Sequence, residues 1–227
     1  MNKMPRILNS FQLKLIALVA MSIDHICLIL FPGSMTAYIL RMTIGRIAMP
    51  IFAFLSCEAF FHTRSRKSYL RNLLIFAIIS EPFYDIAKYN TLFYPDDQNV
   101  LFSIFAGILL LCILNIESIN TQIYYQSAIT IIFMFAAWLL RLDYDFCAVA
   151  LIAIFYKFHW HNLYISSFLS CTLLTIAYGT PGAYLALIPI LLYSGLPGAK
   201  SYAKKYLFYV FYPVHLVILH IFSKIVF

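Results

Sequence analysis

Long apolar runs separated by short polar clusters dominate the chain. A helix needs roughly 20 apolar residues to cross the hydrocarbon core of a bilayer. The pattern predicts helices near residues 13–31, 36–61, 69–89, 99–116, 122–140, 144–158, 162–178, 181–195 and 205–226. These runs are apolar on all sides. They lack the alternation, in segments of about ten residues, that marks a membrane β-barrel. The expected fold is all-α: a polytopic integral membrane helix bundle forming a single transmembrane domain over 1–227. It has about nine transmembrane helices, eight to ten because the sixth to eighth runs are short.

Composition agrees with that reading. The 227 residues are 63% hydrophobic and 11% charged, with a mean hydropathy of +0.86. A soluble domain carries about 25% charged residues. The first run follows Lys3, Arg6 and Lys14 in the manner of a signal peptide. No small-residue cleavage site follows it, so it reads as an uncleaved first helix. Cys27, Cys57, Cys112, Cys147 and Cys171 stand singly inside apolar runs and read as small buried hydrophobes. No metal-ligand spacing is present, and no metal is expected.

Basic residues orient the bundle. One set of polar clusters holds Lys3, Arg6, Lys14, Arg64, Arg66, Lys67, Arg71, Lys157, Lys200, Lys204 and Lys205, and the alternate set only Lys88, Arg141 and Lys224. The positive-inside rule then places the N-terminus in the cytoplasm. The net charge of +7 reads as a topology signal and as contacts with anionic membrane lipids, not as a nucleic-acid surface.

Ionisable groups inside the runs need another explanation, because each costs about 2.5–3.5 kcal/mol near the bilayer centre. They are Asp24 and His25, then Arg41, Arg46 and Glu58, then Glu81 and Asp85, and finally His215 and His220. Counting residues along each helix places His25, Arg46, Glu81 and His215 at similar depth, so they are expected to face one polar cavity. Neighbours on a helix point about 100° apart, so Asp24 and His25 are expected to serve different partners, one of them orienting Arg46. An ion pair of Arg46 with Asp24 or Glu81 that merely fixes packing stays open as the structural alternative. Glu58 has Arg64 and Arg66 as candidate partners. Asp143 and Asp145 read as interfacial, beside Arg141. His62, His159 and His161 read as surface residues, and His220 as non-functional. Three prolines fall beside these groups: Pro50 four residues after Arg46, Pro82 after Glu81, and Pro213 before His215. Each removes a backbone donor and frees a carbonyl one turn back.

Seven short motifs occur in order: Leu13-Lys14-Leu15-Ile16-Ala17, Ile23-Asp24-His25-Ile26, the stretch Gly45 to Phe54, Glu58 to Arg64, Ser80-Glu81-Pro82-Phe83, Asn99 to Ser103, and Tyr212-Pro213-Val214-His215-Leu216. Together they resemble the TraX family of bacterial inner-membrane proteins, densely over 11–107 and again over 203–217. Met49, Ser103 and Ala59 depart mildly from the pattern. The resemblance implies a multi-pass acetyltransferase of the bacterial inner membrane, distantly similar to other membrane acyltransferases. The family's namesake acetylates the N-terminal amine of conjugative pilin from acetyl-coenzyme A.

Acetyl transfer needs a base for the acceptor and positive charge or donors for the developing oxyanion. His25 or His215 is the candidate base, Asp24 and Glu81 the orienting acids, and Arg46 the cation. The clusters Arg64, Arg66, Lys67, Arg71 and Lys204, Lys205 are candidates for holding the anionic donor. Glu58, Asp85, Asn99 and Tyr212 are candidates for contacting the acceptor, a pilin or an envelope glycan. Two rival classes also place such groups in a membrane: a small transporter or proton-coupled channel, and a non-catalytic pilus or envelope assembly protein.

Overall fold

The computed structural model describes residues 6–120, 122–159, 162–198 and 202–226, with the side chains of 118, 120, 202–207 and 226 excepted. It consists of α1 (Ser10–Leu30), α2 (Met35–Thr43), a 3₁₀ turn at Gly45–Ile47, α3 (Ala48–His62), α4 (Arg66–Tyr89), α5 (Val100–Leu114), α6 (Glu117–Asn120), α7 (Ile123–Leu139), α8 (Asp145–Phe158), α9 (Leu163–Tyr178), a 3₁₀ segment at Pro181–Ala186 leading into α10 (Leu187–Leu191), and α11 (Tyr202–Val226). Helix occupies every run read from the sequence, and no strand occurs among the described residues. Three helical segments there are long and apolar enough to cross a membrane: 10–30, 35–62 and 208–225.

Local chemistry sets the ends. Asn9 caps α1 in a reciprocal box: its side chain accepts from Gln12 N–H at 3.0 Å, and the Gln12 side chain accepts from Asn9 N–H at 3.0 Å. Ser65 caps α4 and Asn162 caps α9, each through its side-chain oxygen. The second run is interrupted at 44–47, just before Pro50. The missing N–H of Pro50 would have bonded the carbonyl of Arg46, so the chain loses a helical bond at that turn. Pro82 and Pro213 stay inside continuous helices.

α3 and α8 form the centre. Ile51, Ala53 and Phe60 of α3 and the stretch Cys147–Ile152 of α8 are buried. α7 is the opposite case. Only Ala137 of its residues is fully buried, while Ile131, Ile132, Phe135 and Leu139 are exposed. An apolar face of that size suits lipid rather than water.

Short ties close the two ends of the bundle. At one end Leu8 pairs with Tyr193, and the Ser10 hydroxyl donates to Pro197 O at 2.7 Å. At the other, Gln98 pairs with Leu142. There α1 also meets the 3₁₀ turn closely, because Gly45 has no side chain. A Cβ at Gly45 would lie 2.5 Å from Asp24 Oδ1 and 2.9 Å from Asp24 Cβ. Gly45→Ala should therefore destabilise the fold by about 1–3 kcal/mol, the usual range for overpacking. Gly33→Ala, which meets nothing within 4 Å, should leave the thermal midpoint in detergent near that of the native protein. Equal midpoints for the two variants would contradict the close packing.

Candidate functional site

A polar cavity of about 200 Å³ lies at the end of the bundle closed by Gln98 and Leu142. Asp24 and His25 reach it from α1, Arg41 from α2, Arg46 from the 3₁₀ turn, Tyr84 and Lys88 from α4, and Asp143 and Tyr144 from the α7–α8 loop. Asp24 Oδ1 is 3.8 Å from Arg41 Nε. Arg46 instead donates from Nη1 to the Tyr144 hydroxyl at 3.1 Å, and its guanidinium faces the Tyr144 ring. Lys88 donates to the Tyr84 hydroxyl at 2.7 Å and pairs with Asp97. Asp24 Oδ1, Arg41 Nε and Arg46 Nε are buried without a hydrogen-bond partner. Unsatisfied charged groups lining a cavity call for a ligand or water.

The α7–α8 loop is bent to serve this site. Arg141, Tyr144 and Asp145 all have positive φ, at 55°, 61° and 45°, a region that side chains other than glycine enter rarely. Three bonds hold the bend: Gln98 N–H to Arg141 O at 2.8 Å, Asp143 N–H to Gln98 O at 2.8 Å, and the Ser103 hydroxyl to Asp143 O at 2.6 Å.

Behind the cavity, α1 and α11 are joined by two histidines. His25 Nδ1 is 2.7 Å from His215 Nε2, and His215 Nδ1 is 2.9 Å from Phe211 O. A carbonyl can only accept, so His215 carries its proton on Nδ1 and, when neutral, accepts at Nε2. His25 must then donate from Nδ1, which leaves its Nε2 as a free lone pair. The two rings stack at 5.0 Å, and Tyr212 packs edge-on to His25.

Several residues expected at this site lie elsewhere. The Glu81 carboxylate accepts from the backbone N–H of Asn99 at 3.0 Å and from the Asn99 side chain. Asn99 also caps α5 and donates to Ala77 O at 2.9 Å. These two residues fasten α4 to α5, and Glu81 does not line the cavity or pair with Arg46. Asp85 accepts from Tyr94 N–H at 2.9 Å and holds the loop before α5. Tyr212 is buried beside the histidines rather than open to the cavity. Glu58 sits at the opposite end, where His159 lies at 3.2 Å and His62 at 3.6 Å. It pairs with them and not with Arg64 or Arg66, and burial holds His159 below the ordinary histidine value despite that carboxylate.

A second cavity, of about 590 Å³, opens at that opposite end. Arg64 and Lys14 line it, with Ser65, Ser68 and Asn72. Of the predicted basic cluster only Arg64 reaches it. Arg66 stacks over the Phe60 ring at 4.3 Å, and Lys67 and Arg71 are exposed. The side chains of Lys204 and Lys205, like His161, lie outside the described residues.

The profile of the family described as TraX protein matches residues 10–223. The chain belongs to the TraX family. It is similar to a probable fimbrial assembly protein FimC, serogroup H1, of Dichelobacter nodosus, 30% identical over 235 positions that cover 93% of this chain and 94% of the relative. It is also similar to the uncharacterized protein RP591 of Rickettsia prowazekii (strain Madrid E), 31% identical over 146 positions covering 61% of this chain and 51% of that one. No solved structure matches.

In this TraX chain, Arg41, Tyr84, Lys88, Asp143 and Tyr144 are the site residues that sequence reasoning missed. Arg41 carried the signal of any charge inside an apolar run. Lys88 and Asp143 looked like ordinary loop charges. Burial raises the Asp143 carboxyl from 3.8 to about 7, opposed by Lys88 and reinforced by Asp97 and Asp24. The folded protein therefore binds more protons than the unfolded chain between pH ~4 and ~7, and stability falls as pH rises through that window. Asp143→Asn should remove this slope. The check is a series of thermal midpoints from pH 5 to 8 in detergent; an unchanged slope in the variant would place the titration elsewhere.

Proposed function

We propose that this TraX-family protein is a membrane acetyltransferase, moving acetyl from cytoplasmic acetyl-coenzyme A to an amine or hydroxyl acceptor. A pilin N-terminus or an envelope glycan is such an acceptor. One observation carries the reading: the bond chain from Phe211 O through His215 to His25 leaves a free imidazole nitrogen on a residue that lines a cavity with an arginine. In this proposal the protein crosses the bacterial inner membrane about nine times with its N-terminus in the cytoplasm. The cavity holding Arg64 then opens to the cytoplasm, and the smaller one lies toward the outer face.

His25 Nε2 takes the proton of the acceptor as its nitrogen or oxygen attacks the thioester carbonyl. The new bond to carbon forms, and the carbon–sulfur bond breaks. The proton leaves His25 with the departing thiolate as free thiol, so the histidine is restored. His215 holds the tautomer and orientation of His25. Arg46, kept in place by Tyr144, offsets the negative charge on the tetrahedral oxygen. Arg64 and Lys14 suit the anionic part of the donor, and the apolar depth of that cavity suits its thioester arm. Acetylation of a pilus subunit before assembly also accords with the description of the Dichelobacter nodosus relative as a probable fimbrial assembly protein.

Purified protein in detergent with radiolabelled acetyl-coenzyme A tests this. Native protein should bind the donor and release acetate or acetylate an amine. His25→Ala should lower turnover by about 10²–10⁴-fold, the usual weight of a general base. Arg46→Ala should lower it by about 10²–10³-fold, and both variants should stay folded. Folded native protein that binds no donor at millimolar concentration would end the transferase reading and direct attention to solute flux.

A further inference from the structure

The two cavities share a wall. Along one face of α3, Ala48, Met49 and Phe52 line the smaller cavity, and Phe52, Leu55, Ser56 and Ala59 line the larger. These positions recur at three- and four-residue spacing, so a single helical stripe runs through both. α1 repeats the arrangement, with Ser10 and Lys14 on the larger cavity and Met21 and His25 on the smaller. On α5, Leu101 and Ile104 face one cavity and Val100 the other. Phe52 is the one side chain lining both among the described residues.

We infer that Phe52 is a movable partition between a donor chamber and an acceptor chamber, and that the acetyl group passes it to reach His25. What passes rests on the acetyltransferase reading; the partition itself does not. The separation is considerable. Lys14 and His25 stand eleven residues apart on α1, about 16 Å of helix at 1.5 Å per residue. A donor whose anionic head stays by Lys14 and Arg64 must therefore reach past Phe52 with its thioester end. The flanking residues Met49, Leu55, Leu101 and Ile104 are apolar, so the gap between chambers excludes water while the ring is in place. Phe52 is only partly buried, because it borders space on two sides. A phenyl ring turning on two side-chain bonds can swing without disturbing the helix.

Side-specific labelling in proteoliposomes tests the partition. The five native cysteines are replaced, and Ser56→Cys or Met49→Cys is introduced, one for each chamber. A charged, membrane-impermeant methanethiosulfonate is applied from the face that labels Ser65→Cys. With Phe52 present, Ser56→Cys should react at least about tenfold faster than Met49→Cys, a barrier difference near 1.4 kcal/mol. With Phe52→Ala the two rates should converge. Equal rates with Phe52 in place, or no change on its removal, overturn the partition. A second arm uses acetyl-coenzyme A. Phe52→Trp should lower the rate of acetyl transfer by about tenfold or more with donor affinity retained, and native turnover in that variant also overturns the proposal. Native protein that consumes no acetyl-coenzyme A defeats the acetyltransferase reading alone, since the labelling result still decides the partition.

Discussion

In a chain this apolar, a polar side chain within a helix must be met by another part of the protein, and those meetings fix which helices touch. An unpartnered polar group in such surroundings costs several kcal/mol. Asp24 reaches Arg41 and lies against Gly45, which draws α1 onto the broken second run. His25 reaches His215, which ties α1 to α11. Glu81 takes both donors of Asn99 and fixes the start of α5. Glu58 meets His159 and so joins α3 to the end of α8. Apolar packing fills the space between these joints, but it is non-directional and would tolerate other rotations of the same helices. These polar contacts select one.

The break before Pro50 shows how a local defect serves the site. The 3₁₀ turn at Gly45–Ile47 tightens the backbone at this point. It directs Arg46 toward Tyr144 while Asp24 packs on the bare backbone of Gly45. The α7–α8 loop supplies the other half, with Arg141 and Tyr144 in left-handed backbone that a regular helix does not use. Irregular backbone of this kind clusters where function needs a side chain at an unusual angle.

Most of the helical architecture was legible in the hydrophobic runs, because length and apolarity govern them and tertiary context changes little. The site was legible only in part. His25, Arg46 and His215 declared themselves as charges or imidazoles inside apolar runs. Glu81 gave the same signal and proved to be a fastening, since a buried carboxylate bound by a cap is indistinguishable in sequence from one aimed at a ligand. Asp143 and Tyr144 were hidden for the converse reason. They belong to a polar loop, and only its fold over α4 and α5 carries them inward. The Arg64–Arg71 cluster misled by proximity along the chain. Arg64 lies in the turn before the Ser65 cap and enters the cavity, while Arg66, Lys67 and Arg71 on α4 do not line it.

The size of the polar cavity sets a limit on what can occupy it. At about 200 Å³ it holds the equivalent of six or seven water molecules at roughly 30 Å³ each. In the proposed transfer, an acceptor enters it by its tip, a chain terminus or one protruding group. Discrimination among acceptors then falls to surfaces outside the chamber, such as the bent loop after α7 that brings Asp143 and Tyr144 to its lining. Two proteins with the same inner residues could thus act on unrelated molecules by differing only at those surfaces.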